Sequence, residues 1–205
     1  AWLALIFFHG LRTMQVLTTR FKKSKEQNKK LVKLNRFLSI QKNQFETMAK
    51  KDKLTGAWNR AGVRDLLESV LEEYKVNGTL CTLLALDVDH FKKINDEFGH
   101  DTGDRVLKGL VTLIDSYTRK KDHFARWGGE EFVLICPNTD IHAAKTLAEM
   151  LRRKIETAKL IEARKITCSF GVAELRDEEI DVWFKRADEA LYSAKAAGRN
   201  VVEIA

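Results

Sequence analysis

Two strand-like runs of this chain are separated by only four residues. The runs His123–Trp127 and Phe132–Cys136 flank the segment Gly128-Gly129-Glu130-Glu131. Short apolar runs joined by a glycine-containing segment are typical of a β-hairpin. A hairpin pairs two antiparallel strands, which excludes a purely parallel sheet. Helical patterns precede and follow this hairpin. The sequence therefore predicts an α/β (α+β) fold with a mixed, largely antiparallel central sheet flanked by helices.

The other predicted elements complete one domain over residues 51–205. Apolar residues at helical spacing predict helices, and a continuous apolar run predicts a buried strand that ends at Val88. The predicted helices cover residues 60–74, 91–97, 104–117, 140–158 and 180–197. The predicted strands cover residues 80–88, 123–127, 132–136, 166–173 and 201–204.

The net positive charge of the chain lies in its N-terminal part. Residues 1–51 contain 12 Lys and Arg but only two acidic residues, whereas the remaining 154 residues contain 24 basic and 27 acidic ones. The net charge of +7 therefore does not predict a basic face on the folded domain. No nucleic-acid partner is expected.

Residues 12–50 contain no Gly or Pro and are predicted to form one long helix. Leu31, Leu34, Leu38 and Phe45 fall at heptad core positions, although polar residues occupy other core positions. We interpret residues 12–50 as a stalk that forms a parallel coiled coil. The alternative is a single amphipathic helix that packs on its own domain.

Residues 1–11 are strongly apolar up to Phe8 and precede a cluster of Lys and Arg. The apolar run is shorter than the ~20 residues that span a membrane. We interpret it as the end of a transmembrane helix with its cytoplasmic flank, following the positive-inside rule. The alternatives are a buried helix end and a partner-binding patch.

Carboxylates lie where two of the predicted strands end. Asp87 and Asp89 point in one direction because side chains alternate along a strand, and Glu130 could face Asp87 across adjacent strands. Mg²⁺ is usually bound by one or two carboxylates while phosphates complete its shell, and the Val88 carbonyl can add an oxygen. The alternatives are solvated or helix-capping acids and an ordinary surface hairpin.

Polar groups suited to a nucleotide follow the first of these strand ends. Phe91 and Lys92 begin a predicted helix, whose free N–H groups and positive charge suit phosphate. Asn95 lies one turn beyond Lys92, and Asp104 heads the next predicted helix. An amide together with a carboxylate can bind the edge of guanine.

Six blocks of the chain closely resemble, in the same order, the signature blocks of GGDEF-domain diguanylate cyclases. They cover residues 52–60, 87–96, 99–104, 126–132, 169–171 and 187–200. The fourth block contains Gly128-Gly129-Glu130-Glu131-Phe132, in which Glu130 replaces the Asp of the family name and keeps a carboxylate. The resemblance extends over about residues 50–205.

The resemblance implies a fold related to nucleotide cyclases and polymerase palm domains. It also implies that two GTP molecules are condensed to cyclic di-GMP with release of two pyrophosphates, at sites that each hold two Mg²⁺ or Mn²⁺ ions. Each site would bind one GTP, so activity would require a homodimer, and the stalk would control its formation. With a membrane anchor upstream, the catalytic domain would lie at the cytoplasmic face of the bacterial inner membrane.

The resemblance also implies residue roles. Asp87, Glu130 and the Val88 carbonyl would bind metal, and Glu130 would accept the proton of the ribose 3′-OH. The expected substrate contacts are Asn95 and Asp104 to guanine, His100 nearby, Lys92, Lys195 and Arg199 to phosphates, and Phe91 at the helix start. Glu130 and Lys92 are the predicted catalytic residues, and Glu131 has no settled role. Lys195 and Arg199 could alternatively be only a cationic helix end.

Arg119 and Asp122 precede the hairpin at the place where family members often carry an Arg-x-x-Asp product-inhibition site. Arg119 would bind phosphates or guanine of cyclic di-GMP, and Asp122 would accept from guanine. The alternative is a solvated loop. For the whole domain, the alternatives are a catalytically silent module that binds cyclic di-GMP or GTP, and a protein that acts only through its coil.

Overall fold

The computed structural model describes residues 2–162 and 164–205. Two compact units are present, of which the first ends at Met48 and the second spans Ala49–Ala205. The helices are α1 (Trp2–Ala49), α2 (Arg60–Asn77), α3 (Phe91–Phe98), α4 (His100–Tyr117), α5 (Ile141–Thr157) and α6 (Ile180–Ala196). The strands are β1 (Trp58–Asn59), β2 (Cys81–Val88), β3 (His123–Gly128), β4 (Glu131–Pro137), β5 (Cys168–Glu174) and β6 (Val202–Ile204).

The first unit lies within the long helix α1. Leu31, Leu34, Leu38 and Phe45, at the predicted heptad core positions, are each more than half exposed. Among the described residues, no helix is both long and apolar enough to cross a membrane. Ala1 and the side chains of residues 3–9, on which the predicted transmembrane end depends, lie outside what is described. The coiled coil and the membrane segment therefore stay predictions.

The second unit has the predicted mixed α/β fold. Its six strands follow the order β1-β3-β4-β2-β5-β6. The three interior pairings are antiparallel, whereas β1–β3 and β5–β6 at the two edges are parallel. The prediction of a largely antiparallel sheet flanked by helices is confirmed.

Strand β2 forms the centre of the core, and all eight of its residues are buried. Because side chains alternate along a strand, Leu84 and Leu86 pack with α3, α4 and α5 on one face of the sheet. Leu83 and Ala85 pack with α2 and α6 on the other face. Each of these fully buried leucines stabilises the fold by about 1.5–3 kcal/mol.

Local sequence signals fix where several helices begin. The side chain of Asn59 accepts a hydrogen bond from the N–H of Gly62 at the start of α2, and Asp140 caps α5 in the same way. Gly171 in β5 allows α6 to pack closely, because a Cβ at this position would lie 2.1 Å from the carbonyl oxygen of Ala187. This packing places the last turn of α6 beside the end of β2.

Candidate active site

The carboxylate of Asp87 lies on the α6 side of the sheet. Asp87 is the last but one residue of β2, and it shares a face with Leu83 and Ala85. Its Oδ2 atom forms an ion pair with Nζ of Lys195 at 2.8 Å, and its side chain is only 12% exposed. The structure therefore brings together Asp87 and Lys195, two of the predicted site residues.

The hairpin brings two glutamates to the same strand end. The residue directly opposite Asp87 in the β2–β4 pairing is Glu131, whereas Glu130 lies in the turn, where its carbonyl accepts from the N–H of Val88 at 3.3 Å. The expectation that Glu130 faces Asp87 across adjacent strands is therefore wrong by one position. The β2–β4 register runs without interruption from Cys81 opposite Pro137 to Asp87 opposite Glu131, so Glu130 falls just beyond the paired residues.

The charges at this strand end suit a divalent cation. Burial raises the pKa of Asp87, the ion pair with Lys195 acts in the opposite direction, and Glu130 and Glu131 raise the pKa further. In residues 2–162 and 164–205, no three His, Cys, Asp or Glu side chains are grouped to hold a metal ion. Mg²⁺ commonly takes only one or two protein carboxylates and completes its shell with phosphate oxygens, so this donor set fits a metal that arrives with a triphosphate.

Asp89 does not share the position of Asp87. Its two carboxylate oxygens accept hydrogen bonds from Thr167 Oγ1 and Ser169 Oγ, each at 2.7 Å, and from the N–H of Asn200 at 3.0 Å. Asp89 is 5% exposed. Its carboxylate is thus occupied by protein donors, and of the Asp87–Asp89 pair only Asp87 is placed for a metal.

Helix α3 begins immediately after this point. His90, with a φ of 58°, precedes the helix, and the N–H of Lys93 makes the first hydrogen bond back to the His90 carbonyl. The N–H groups of Phe91 and Lys92 therefore point out of the first turn. Lys92 is exposed, whereas the side chain of Phe91 is buried in the core. As a substrate-binding residue, Phe91 can contribute only its backbone.

The predicted guanine-binding residues lie where α3 and α4 meet. A Cβ on Gly103 would lie 2.0 Å from Oδ1 of Asn95, so the missing side chain makes room for the Asn95 amide. Asp104 follows Gly103 in α4 and is half-buried. His100 is the exposed first residue of α4, which begins four residues before the predicted start at Asp104.

Arg199 lies in the loop after α6 and is exposed. Partial desolvation, Arg199 and Lys93 all lower the pKa of His90, which shows that Arg199 lies near the start of α3. Lys195 instead contacts Asp87. Of the three cations predicted to bind phosphates, Lys195 thus lies at Asp87, whereas Arg199, like Lys92, lies at the start of α3.

Arg119 and Asp122 lie at the opposite end of the strands. Asp122 precedes β3, whose first residue pairs with Ile135 near the end of β4. Oδ2 of Asp122 accepts from the N–H of Arg119 at 2.8 Å, and its Oδ1 is buried without a hydrogen-bond partner. About six residues of strand, or roughly 20 Å, separate this turn from Asp87.

Sequence reasoning missed the contacts that hold the hairpin. Arg126 donates from Nε to the carbonyl of Gly129 at 2.8 Å and from Nη1 to Asp52 at 3.1 Å. On the other side, the Trp127 ring stacks on Phe184 at 4.7 Å, and the Arg60 guanidinium lies 4.7 Å from the Trp127 ring centre. Asp52 and Arg126 begin two of the six motif blocks, but no local sequence pattern indicates that they form an ion pair.

One known protein family matches most of the chain. Residues 49–201 match the family model described as "Diguanylate cyclase, GGDEF domain". The chain is 42% identical over 158 residues to the diguanylate cyclase DgcP of Pseudomonas aeruginosa, which covers 75% of this chain and 24% of that protein. The chain thus spans only about a quarter of this curated relative.

Solved structures agree with this match. The coiled coil and GGDEF domain of DgcB from Caulobacter crescentus, solved in complex with c-di-GMP, superposes with a TM-score of 0.79 at 32% identity and covers 92% of this chain and 99% of that one. The active GGEEF domain of a diguanylate cyclase from Vibrio cholerae gives a TM-score of 0.69 at 34% identity, with 71% and 96% covered.

Proposed function

The chain belongs to the GGDEF domain family of diguanylate cyclases, and from this premise we propose that it condenses two GTP molecules into cyclic di-GMP and releases two pyrophosphates. The observation that supports the proposal most is that Asp87 lies at the same strand end as Glu130 and Glu131 of the hairpin. Glu130 and Glu131 raise the pKa of Asp87, and the Glu130 carbonyl accepts from the Val88 N–H. Acidic side chains that crowd together at a strand end are favoured when a cation offsets their repulsion.

The proposed metal ligands are Asp87, Glu130 and the Val88 carbonyl. Two Mg²⁺ or Mn²⁺ ions bound there would stabilise the charge that develops on the triphosphate. In each of two steps, the 3′-oxygen of one GTP forms a bond to the α-phosphorus of the other. The bond from that phosphorus to the pyrophosphate oxygen breaks, and Glu130 accepts the proton of the 3′-hydroxyl.

The remaining predicted site residues would hold the nucleotide. Asn95 lies against Gly103 of α4, and Asp104 is the next residue of that helix. Asn95 and Asp104 are proposed to bind the guanine edge, with His100 nearby. Lys92, the backbone N–H of Phe91 and Arg199 are proposed to bind phosphates at the start of α3. Lys195 would neutralise charge at Asp87.

Control of the reaction would come from assembly. Each domain would bind one GTP, and each GTP must reach the α-phosphorus of the other. Two domains must therefore face each other, and a homodimer is proposed. Leu31, Leu34 and Leu38 of α1 are exposed and fall at predicted heptad core positions, which supports a parallel coiled coil. An upstream anchor would place the domain at the cytoplasmic face of the inner membrane.

Product inhibition at Arg119 and Asp122 is the further regulatory proposal. The Arg119 side chain is exposed and available to bind phosphate or guanine. Asp122 already closes its own turn by accepting from the Arg119 N–H. Because Oδ1 of Asp122 is buried without a hydrogen-bond partner, guanine would reach this carboxylate through Oδ2 or after a rotation of the side chain. Inhibition from this distance would act on the arrangement of the domains rather than on the metal site.

The competing function is a silent domain that only binds cyclic di-GMP or GTP. The acidic cluster at Asp87 argues for catalysis, because a domain that only binds a nucleotide does not need two metal-binding carboxylates. A protein that acts only through its coil would leave the whole of residues 51–205 without a role.

The experiment is incubation of the purified chain with GTP and Mg²⁺, followed by chromatography of the nucleotides. Cyclic di-GMP is expected from the wild type and not from Glu130→Gln, whose thermal unfolding should be unchanged. The same assay at increasing chain concentration, beside a measurement of dimerisation, tests the homodimer, and added product tests inhibition. Nucleotide binding without product from a proven dimer would favour the silent domain.

A further inference from the structure

The loop that carries Arg199 has an unusual backbone. Gly198, Arg199 and Asn200 have φ values of 113°, 67° and 50°. Non-glycine residues rarely adopt positive φ, and they keep it only when surrounding contacts determine the conformation. Two such residues in succession indicate that this loop is held in place by specific partners.

The partners bind to Asn200, the residue after Arg199. Its N–H donates to Asp89 Oδ2 at 3.0 Å and to Ser169 Oγ at 3.2 Å. Its side-chain oxygen accepts from Arg152 at 2.9 Å, and its side-chain nitrogen donates to Glu156 at 3.0 Å. Every polar group of the side chain and the backbone N–H are thus bound to three separate elements of the domain.

The same carboxylate holds the other side of the phosphate region. Asp89 lies two residues before Phe91, and its N–H donates to the Thr167 carbonyl at 2.9 Å. Its oxygens accept from Thr167, Ser169 and Asn200. Asp89 therefore connects the start of α3 directly to the loop with Arg199.

We propose that Asp89 and Asn200 are positioning residues that hold the Arg199 loop against the start of α3, so that Arg199 and the Lys92 end of α3 converge on one triphosphate. The proposal rests on the proposed function, since it assumes that these groups bind GTP. Arg199 has a long side chain on an exposed loop, and fixing its backbone beforehand reduces the ordering that binding requires. Partners that orient metal ligands cost about 10- to 100-fold in affinity or activity when they are removed, and we take the lower end of that range for a loop that orients one arginine.

The test is a double-mutant cycle of Asn200→Gly with Arg199→Ala. Glycine tolerates the positive φ and keeps the N–H bonded to Asp89, so only the side-chain bonds to Arg152 and Glu156 are lost. Affinity is measured by calorimetry with a GTP analogue whose α,β-bridging oxygen is replaced by methylene. We expect Asn200→Gly to weaken binding about tenfold in the wild-type background and less than about twofold in the Arg199→Ala background.

Two further variants act as controls. Lys165→Ala removes another ion pair of Glu156, at 2.9 Å, without touching Asn200, and should leave affinity unchanged. Asp89→Asn can still accept from Asn200 and donate to Ser169, so it should bind GTP far better than Asp89→Ala, which removes all the side-chain bonds and risks unfolding.

The outcomes separate the inference from the function on which it rests. An equal loss from Asn200→Gly in both backgrounds would show a general effect on the fold and overturn the inference. Unchanged affinity of Asn200→Gly, or of Arg199→Ala alone, would overturn it as well. In each case the wild type would still form cyclic di-GMP, whereas failure of the proposed function appears as a wild type that forms none.

Discussion

Replacement of Gly103 with alanine would place a methyl group where the side chain of Asn95 now lies. The added Cβ would be 2.0 Å from Asn95 Oδ1 and 3.1 Å from Cζ of the Phe91 ring. Oδ1 is the end of a flexible side chain and can rotate away, whereas the buried ring can yield only slightly. The substitution should therefore affect the direction of the Asn95 amide more than the fold.

The two effects can be estimated separately. An alanine inside a helix is favoured over glycine by about 1 kcal/mol, and crowding against a packed ring costs about 1–3 kcal/mol, so the free energy of unfolding should fall by no more than about 2 kcal/mol. An Asn95 amide turned away from guanine leaves a polar group unpaired, which costs about 1–3 kcal/mol. At 1.4 kcal/mol for each factor of ten, GTP binding should weaken roughly 5- to 150-fold.

The matched control is Gly109→Ala on the same helix. A Cβ at this position would lie 3.0 Å from the Cδ2 methyl of Leu160, which can shift. We expect Gly109→Ala to bind GTP like the wild type and to be as stable or slightly more stable. The assay is the KM for GTP with ATP as competitor, together with thermal unfolding. If Gly103→Ala keeps wild-type affinity and discrimination while Asn95→Ala loses both, the steric reasoning is wrong.

Two further predictions concern ion pairs. Lys195→Met removes the group that lowers the pKa of Asp87. The acid limb of the pH–rate profile of cyclic di-GMP formation should therefore move to higher pH. If the acid limb does not move, the ionisation of Asp87 does not determine it. Burial raises the pKa of Asp52, but hydrogen bonds from Thr55 and the Arg126 ion pair outweigh this and lower the pKa below its usual 3.8. The stabilisation by ionised Asp52 is fully present above the pKa of this group in the unfolded chain, and it is lost as the pH falls through the lower pKa of the folded state. Asp52→Asn should lower the free energy of unfolding at pH 7 by about 1–2 kcal/mol. An equal loss at pH 7 and pH 2.5, measured by urea unfolding, would show that the charge of Asp52 is not the cause.

The fold followed largely from apolar patterns. The buried run that ends at Val88 and the hairpin after it predict the antiparallel centre of the sheet, and both are present. The pattern predicts the start of α4 four residues too late, because the first turn of the helix, His100 to Gly103, is polar and contains glycine. Strand β1 was not predicted, since its two residues pair with β3 only through tertiary contact.

The site was less accessible to prediction because it depends on register and on distant partners. The β2–β4 register places Glu131 rather than Glu130 opposite Asp87, and the apolar pattern of the two strands does not show which residue of the turn is the last to pair. Asp89 follows the last residue of β2, so strand alternation no longer fixes its direction. Its hydroxyl partners come from residues 167 and 169, far along the chain.

Several groups of the proposed site belong to the backbone, and side-chain type says little about them. The carbonyl of Val88 and the N–H of Phe91 are placed by the strand end and the helix start. Phe91 occurs in the motif, yet its side chain is buried among the core residues. A substitution at Phe91 would therefore change packing and the position of the helix start together, and it cannot separate a binding role from a structural one. Substitutions that act on side chains alone, such as those of Asn95, Lys195 and Arg199, are the ones that can test the chemistry.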